Sequence, residues 1–347
     1  MDEFKNIVHK LVNSIIFLVL LIFGLAAFII YDAFHITRIE PRVITIDAPS
    51  STSESGSSHN EYKLPDTASI PNTEEGKMIR YGRQLITNTS GYLGRNGSVG
   101  IFLPNSMNCE SCHLDAGTKP YCFNFTAVHA NYPKYRDRAG MIVTETQRVN
   151  DCMTRSLNGK ELDPNSKEML AILSYIKWVG KKTIIGEKVK GFEPDNLPFM
   201  DRAADPGKGK NVFMKNCRSC HGADGQGLMW TDVKRYPPLW GDSSFNDAAA
   251  TNRLTILARY VKNNMPFGTS YDNPLLTDEE AWDVAAFVIS QPRMHKKEVE
   301  QDFPDVKTKA IDYSFGPYPD NFSREQHKFG PYKPIIEADE KASGNKI

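Results

Sequence analysis

"CESCH" at residues 109–113 and "CRSCH" at residues 217–221 decide how this 347-residue chain is read. C-x-x-C-H is the attachment signal of a c-type haem. Its spacing lets both sulfurs form thioethers to the two vinyl groups, and the next residue turns an imidazole onto the iron. A single copy would be open to a zinc or disulfide reading. Two copies, each followed by a comparable length of chain, argue for two covalently bound c-type haems. Cys109 and Cys112 hold the first and Cys217 and Cys220 the second, with His113 and His221 as proximal ligands.

Other features recur with nearly the same period. "NSKEMLAILSYIKW" (165–178) and "TDEEAWDVAAFVIS" (277–290) each open on a capping-box pattern, Asn165 with Glu168 and Thr277 with Glu280. Both then carry apolar residues at helical spacing, with Tyr175 and Phe287 at matching places. An internal duplication follows. Each unit reads as a helix carrying C-x-x-C-H, a loop-rich middle and a terminal helix packed across the first. The expected fold is mainly α, and it resembles two class I cytochrome c domains.

The rest of the chain sets these units in order. There are 42 basic and 42 acidic residues, so net charge is zero, which argues against nucleic acid as a partner. Residues 11–31 carry no charge and are long enough for a transmembrane anchor; a cleaved signal peptide is the competing reading. The expected layout is a short cytoplasmic segment at 1–10, the anchor at 11–31 and a Ser-rich disordered tether at 32–71. The first cytochrome domain follows at 72–190, the second at 191–292, and at 293–347 a Pro/Gly-punctuated tail that wraps both. His327 in that tail reads as structural. Covalent haem attachment takes place outside the cytoplasm. The haem domains are therefore expected in the periplasm, on a single-pass inner-membrane anchor.

The distal ligands distinguish the two units. Forty-four residues after His221, "NNMPFG" offers Met265 next to a stiffening proline, and a methionine thioether is a common second ligand. Met229 reads as packing. The same spacing from His113 lands on Leu157, which leaves Cys152, Met153, His129 and the weaker Met141 as candidates. Composition alone allows a Cys122–Cys152 disulfide. The setting of Cys152 speaks against it: Arg136, Arg138, Arg148 and Arg155 crowd this part of the sequence, and positive charge favours thiolate.

"CESCHLDAGTKP", "YPKYRDR", "RVNDCMTRSLNGK", "NNMPFG" and "FGPYPDNFSREQHKFGPYKPI", in this order, resemble the dihaem thiosulfate dehydrogenase family. The similarity covers most of residues 72–335. It implies a catalytic haem 1 with His/Cys ligation, carried here by His113 and Cys152, and an electron-transferring haem 2 with His221 and Met265. The family's R-x-x-x-C-x-x-x-S context matches Arg148, Cys152 and Ser156, and a second substrate-pocket arginine matches Arg138. A lysine that precedes the haem 2 methionine in some members is Asn264 here, so that ligand switch is expected to be absent. The expected reaction joins two thiosulfates into tetrathionate or runs in reverse, with Cys152 as ligand and candidate nucleophile. Electrons would leave for a periplasmic or membrane acceptor, a cytochrome c or terminal oxidase. The rival expectation is a membrane-tethered dihaem electron carrier without substrate turnover.

Overall fold

The computed structural model describes residues 62–228 and 236–342, together with residues 5–6, 9–10, 13–24 and 26. The chain divides into a unit Met1–Ser57 and a unit Ser58–Ile347. In the first, residues 13–24 are helical. No helix among the described residues is long and apolar enough to cross a membrane. Residues 11, 12, 25 and 27–31 of the expected anchor, Met229, and tether residues 32–61 lie outside the described residues.

In the second unit the same helical crossing is built twice. Helix α1 (Glu74–Thr87) packs on α2 (Lys167–Val179), and α3 (Pro206–Asn216) packs on α4 (Asp278–Ser290). Glycine makes both crossings close. A Cβ at Gly82 would lie 2.0 Å from the Ala171 carbonyl oxygen and 2.8 Å from the Tyr175 Cβ. One at Gly209 would lie 1.8 Å from the Asp283 oxygen and 2.9 Å from the Phe287 Cβ. Tyr175 and Phe287, matched in the sequence, therefore occupy the same place in the two crossings. Helix α5 (Leu254–Asn264) packs against α4 and completes the second domain.

Three expectations are corrected at this level. The Thr277–Glu280 capping box forms, but α2 is capped by Ser166, which accepts from Met169 N; Asn165 turns back on Asp163. Glu168 instead accepts from the Tyr81 hydroxyl of α1 at 2.8 Å, tying the crossing together. The haem motif follows its helix directly only in the second domain, where α3 runs into the helical turn Arg218–His221. In the first domain residues 88–108 intervene, and Cys109–Ser111 forms a single 3-10 turn. Packing also begins earlier than Asn72: the Tyr62 hydroxyl donates to Val179 O and Ile70 is buried.

A ribbon of β1 (Lys134–Arg136) and β2 (Met141–Val143), with Tyr135 opposite Ile142, is the one sheet among the described residues. The tail contacts both domains. Phe303 N donates to Arg138 O in the first, while Tyr332 packs on Phe199 and Trp282 in the second. His327 is buried, bonded to Ile311 O and Asp320 and stacked on Tyr318 at 3.7 Å, a structural role as expected.

Candidate haem sites and the families they match

Arg148 lies four residues before Cys152, which puts both on one helix face. Helix α6 (Glu145–Asp151) carries Arg148 and starts at a Thr144–Gln147 capping box. Cys152–Ser156 then continues as a π-helical turn, a widened geometry that recurs at functional sites. The Arg148 guanidinium donates to the Cys152 sulfur at 3.2 Å. Burial pushes this thiol up, but Arg148 and a hydrogen bond with His113 outweigh it and bring the pKa down to about 7.

Cys152 opens into a cavity of about 380 Å³. Cys109, Cys112 and His113 line it, as do Met153, Ser156 and Leu157. His113 Nδ1 is 2.5 Å from Phe123 O, which fixes the ring and leaves Nε2 for another partner. The other candidates of the first unit are less well placed. His129 pairs with Glu145 and Met141 is exposed on the ribbon; neither lines the cavity. Met153 does line it, fully buried. No disulfide links Cys122 to Cys152. Cys122 is buried and its Sγ lies 3.5 Å from Cys112 O, with burial pushing the thiol up to about 11.

The cations differ from expectation. Arg138 is absent from the cavity wall; its guanidinium donates to Asp151 Oδ2 at 2.5 Å. Asp151 also faces Arg155, which forks onto Asp302 of the tail at 2.6 and 2.7 Å, and the Tyr313 hydroxyl closes the chain on Asp302. Lining the cavity instead are Arg136, Arg148, Arg253 and Arg259. Arg253 is held by the fully buried Asp312, and Arg259 by Glu193 and Pro194 O. Among the described residues the Arg136 side chain makes no hydrogen bond or ion pair. Arg136 was legible, since it stands two residues before Arg138 in "YPKYRDR". Arg253 and Arg259 belong to the second domain and carried no local signal.

In the second domain His221 is buried and its Nδ1 is 2.9 Å from Pro237 O, the same arrangement as at His113. Met265 caps α5, half-buried, directly after the buried Asn264. Paired thiols, an imidazole fixed at Nδ1 and an adjoining cavity fit a c-type haem in the first domain. The second repeats the donor set.

Residues 103–185 match the SoxA/TsdA cytochrome c domain and residues 207–292 the cytochrome c family. The chain is 35% identical over 268 residues to a thiosulfate dehydrogenase of Psychrobacter arcticus, covering 76% of this chain and 78% of that protein. With one from Allochromatium vinosum it shares 34%, over 66% of this chain and 83% of the other. It belongs to the thiosulfate dehydrogenase family. Among solved structures, the thiosulfate dehydrogenase (TsdBA) of Marichromatium purpuratum superposes with a TM-score of 0.63 at 28% identity. That match spans 69% of this chain and half of the other, longer one. The chain is thus an enzyme of a haem-dependent family, with two cytochrome c domains and two covalently bound c-type haems.

Proposed function

We propose that this enzyme joins two thiosulfate ions into tetrathionate, or runs the reverse reaction, at the cavity of the first domain. One observation carries the reading: the Arg148 guanidinium donates to the Cys152 sulfur inside the cavity that Cys109, Cys112 and His113 also line. His113 and Cys152 would hold the first iron, and His221 and Met265 the second. When bound, the two haems supply the redox chemistry, since the coupling releases two electrons.

The protein must also bring two dianions together. At about 5 Å and an effective dielectric near 20 they repel by about 13 kcal/mol, far more than one exposed cation offsets. Arg136, Arg148, Arg253 and Arg259 lower that barrier from the cavity wall, and a guanidinium fork matches sulfonate oxygens. Arg148 favours the thiolate form of Cys152. Arg138 acts at one remove, holding Asp151 and through it Arg155. Because c-type haem is attached outside the cytoplasm, we place the folded unit in the periplasm on an anchor at residues 11–31. From there it would exchange electrons with a cytochrome c or a terminal oxidase.

Low-temperature EPR of the oxidised full-length protein beside Cys152→Ala tests this. The expected result is a thiolate-type low-spin signal that disappears in the variant, together with thiosulfate-driven haem reduction. If no thiolate signal appears in the parent and thiosulfate reduces neither haem, the protein is an electron carrier.

A further inference from the structure

Cys122 belongs to neither haem motif, and no disulfide uses it. It stands in a segment that touches both haem sites. Two residues apart, the carbonyls on either side of it hold the two sites. Phe123 O fixes Nδ1 of His113 at 2.5 Å. Tyr121 O accepts from Asn264 Nδ2 at 2.8 Å, and Asn264 is the residue just before Met265. The second hydrogen of that amide goes to Tyr260 O at 3.1 Å, so the fully buried Asn264 ties the end of α5 to the first domain.

Further contacts hold the segment in place. Tyr121 stacks on Tyr271 with ring centroids 3.8 Å apart, and Phe123 stacks on Tyr260 at 5.8 Å. Lys119 Nζ donates to Thr269 O at 3.1 Å. The Tyr260 hydroxyl donates to Ser111 O, inside the first haem motif, at 3.3 Å. Between these contacts the Cys122 Sγ approaches Cys112 O and hydrogen-bonds with Tyr260. Tyr121 and Phe123 hold φ of 55° and 44°, a left-handed backbone that side chains of this size rarely adopt. Such a conformation persists only where its surroundings over-determine it.

We infer that Tyr121–Cys122–Phe123 is a positioning strap shared by the two haem sites, with Cys122 and Asn264 as its positioning residues. The strap aims the His113 ring through Phe123 and sets the Met265 loop through Tyr121 and Asn264. A change at either residue therefore reaches the ligand field of both haems, although neither residue touches an iron. This rests on the proposed ligation by His113 and Met265.

The test compares ferric spectra and the two midpoint potentials of full-length holoprotein carrying Asn264→Leu, Cys122→Ala or Cys122→Ser. Asn264→Leu should lose the far-red thioether-to-iron band of haem 2, lower that haem's potential and broaden the EPR signal of haem 1. Cys122→Ala should broaden the EPR signal of haem 1 and weaken the same far-red band, and Cys122→Ser, which keeps a donor, should restore both. Asn264→Leu and Cys122→Ala proteins that bind both haems and keep wild-type spectra and potentials would overturn the strap. A wild-type protein with no thioether band would remove the Met265 ligation and the strap together, whereas an intact wild-type band with unmoved variants sinks the strap alone.

Discussion

The two domains share one helical crossing and one way of fixing the motif histidine, yet they differ in the second ligand each offers. In the second domain Met265 follows His221 by 44 residues, from the end of a regular helix, in a loop with Phe267 exposed. In the first, Leu157 takes that spacing as part of the cavity wall. The sulfur arrives five residues earlier, from a π-helical turn with a guanidinium on it. The two units keep the helical crossing and the fixed histidine, and differ in the approach to the haem motif and in the sulfur offered beyond it. In the proposed ligation, a neutral thioether would suit electron transfer, while a thiolate among arginines would donate strongly to the iron and stand where anions collect.

The sharpest way to break this contrast is to give the first domain the ligand type of the second. Cys152→Met should raise the potential of haem 1 and cut thiosulfate turnover by about a thousandfold, roughly 4 kcal/mol of barrier, the scale of a lost electrostatic or nucleophilic group. Potentiometry beside steady-state rates reads both, and near-normal turnover would make the sulfur's identity irrelevant. Next in size are the shared crossings. Gly82→Ala and Gly209→Ala each force a methyl to within about 2 Å of a backbone oxygen. Each should destabilise its own domain by about 1–3 kcal/mol, followed by thermal loss of that domain's haem environment. Equal costs would establish one scaffold used twice, and a cost at only one would break the equivalence. The smallest expected effect sharpens the account of the anion pocket. Arg136→Gln should raise KM for thiosulfate about tenfold with kcat little changed, about 1.4 kcal/mol of uniform binding. A shift in haem 1 potential with KM unchanged would instead assign Arg136 to a haem propionate.

What the sequence showed depended on how local each signal was. The attachment motifs, the Thr277–Glu280 box and the four-residue step from Arg148 to Cys152 are complete within a few residues, and the structure contains all of them. The start of α2 shifted by one residue because Asn165 and Ser166 are both good caps, and only the geometry of the turn at Asp163 chooses between them. Arg138 misled for a different reason. It stands in the turn of the ribbon, where Asp151 draws it behind the wall, while Arg136 on β1 lines the cavity. Arg253, Arg259 and the surroundings of Cys122 depend on how the second domain lies on the first, for which no short motif is diagnostic.

The tail counter-ions bear on the order in which the protein is made. Arg155 and Arg253 flank the first haem cavity or line it, yet their buried partners, Asp302 and Asp312, come more than a hundred and about sixty residues later. A chain emerging from its N-terminus presents CESCH and the Cys152 turn long before those carboxylates exist. Without the tail both guanidinium groups would lack these carboxylates. A chain cut before Asp302 should therefore leave this side of the first pocket without its two buried counter-ions.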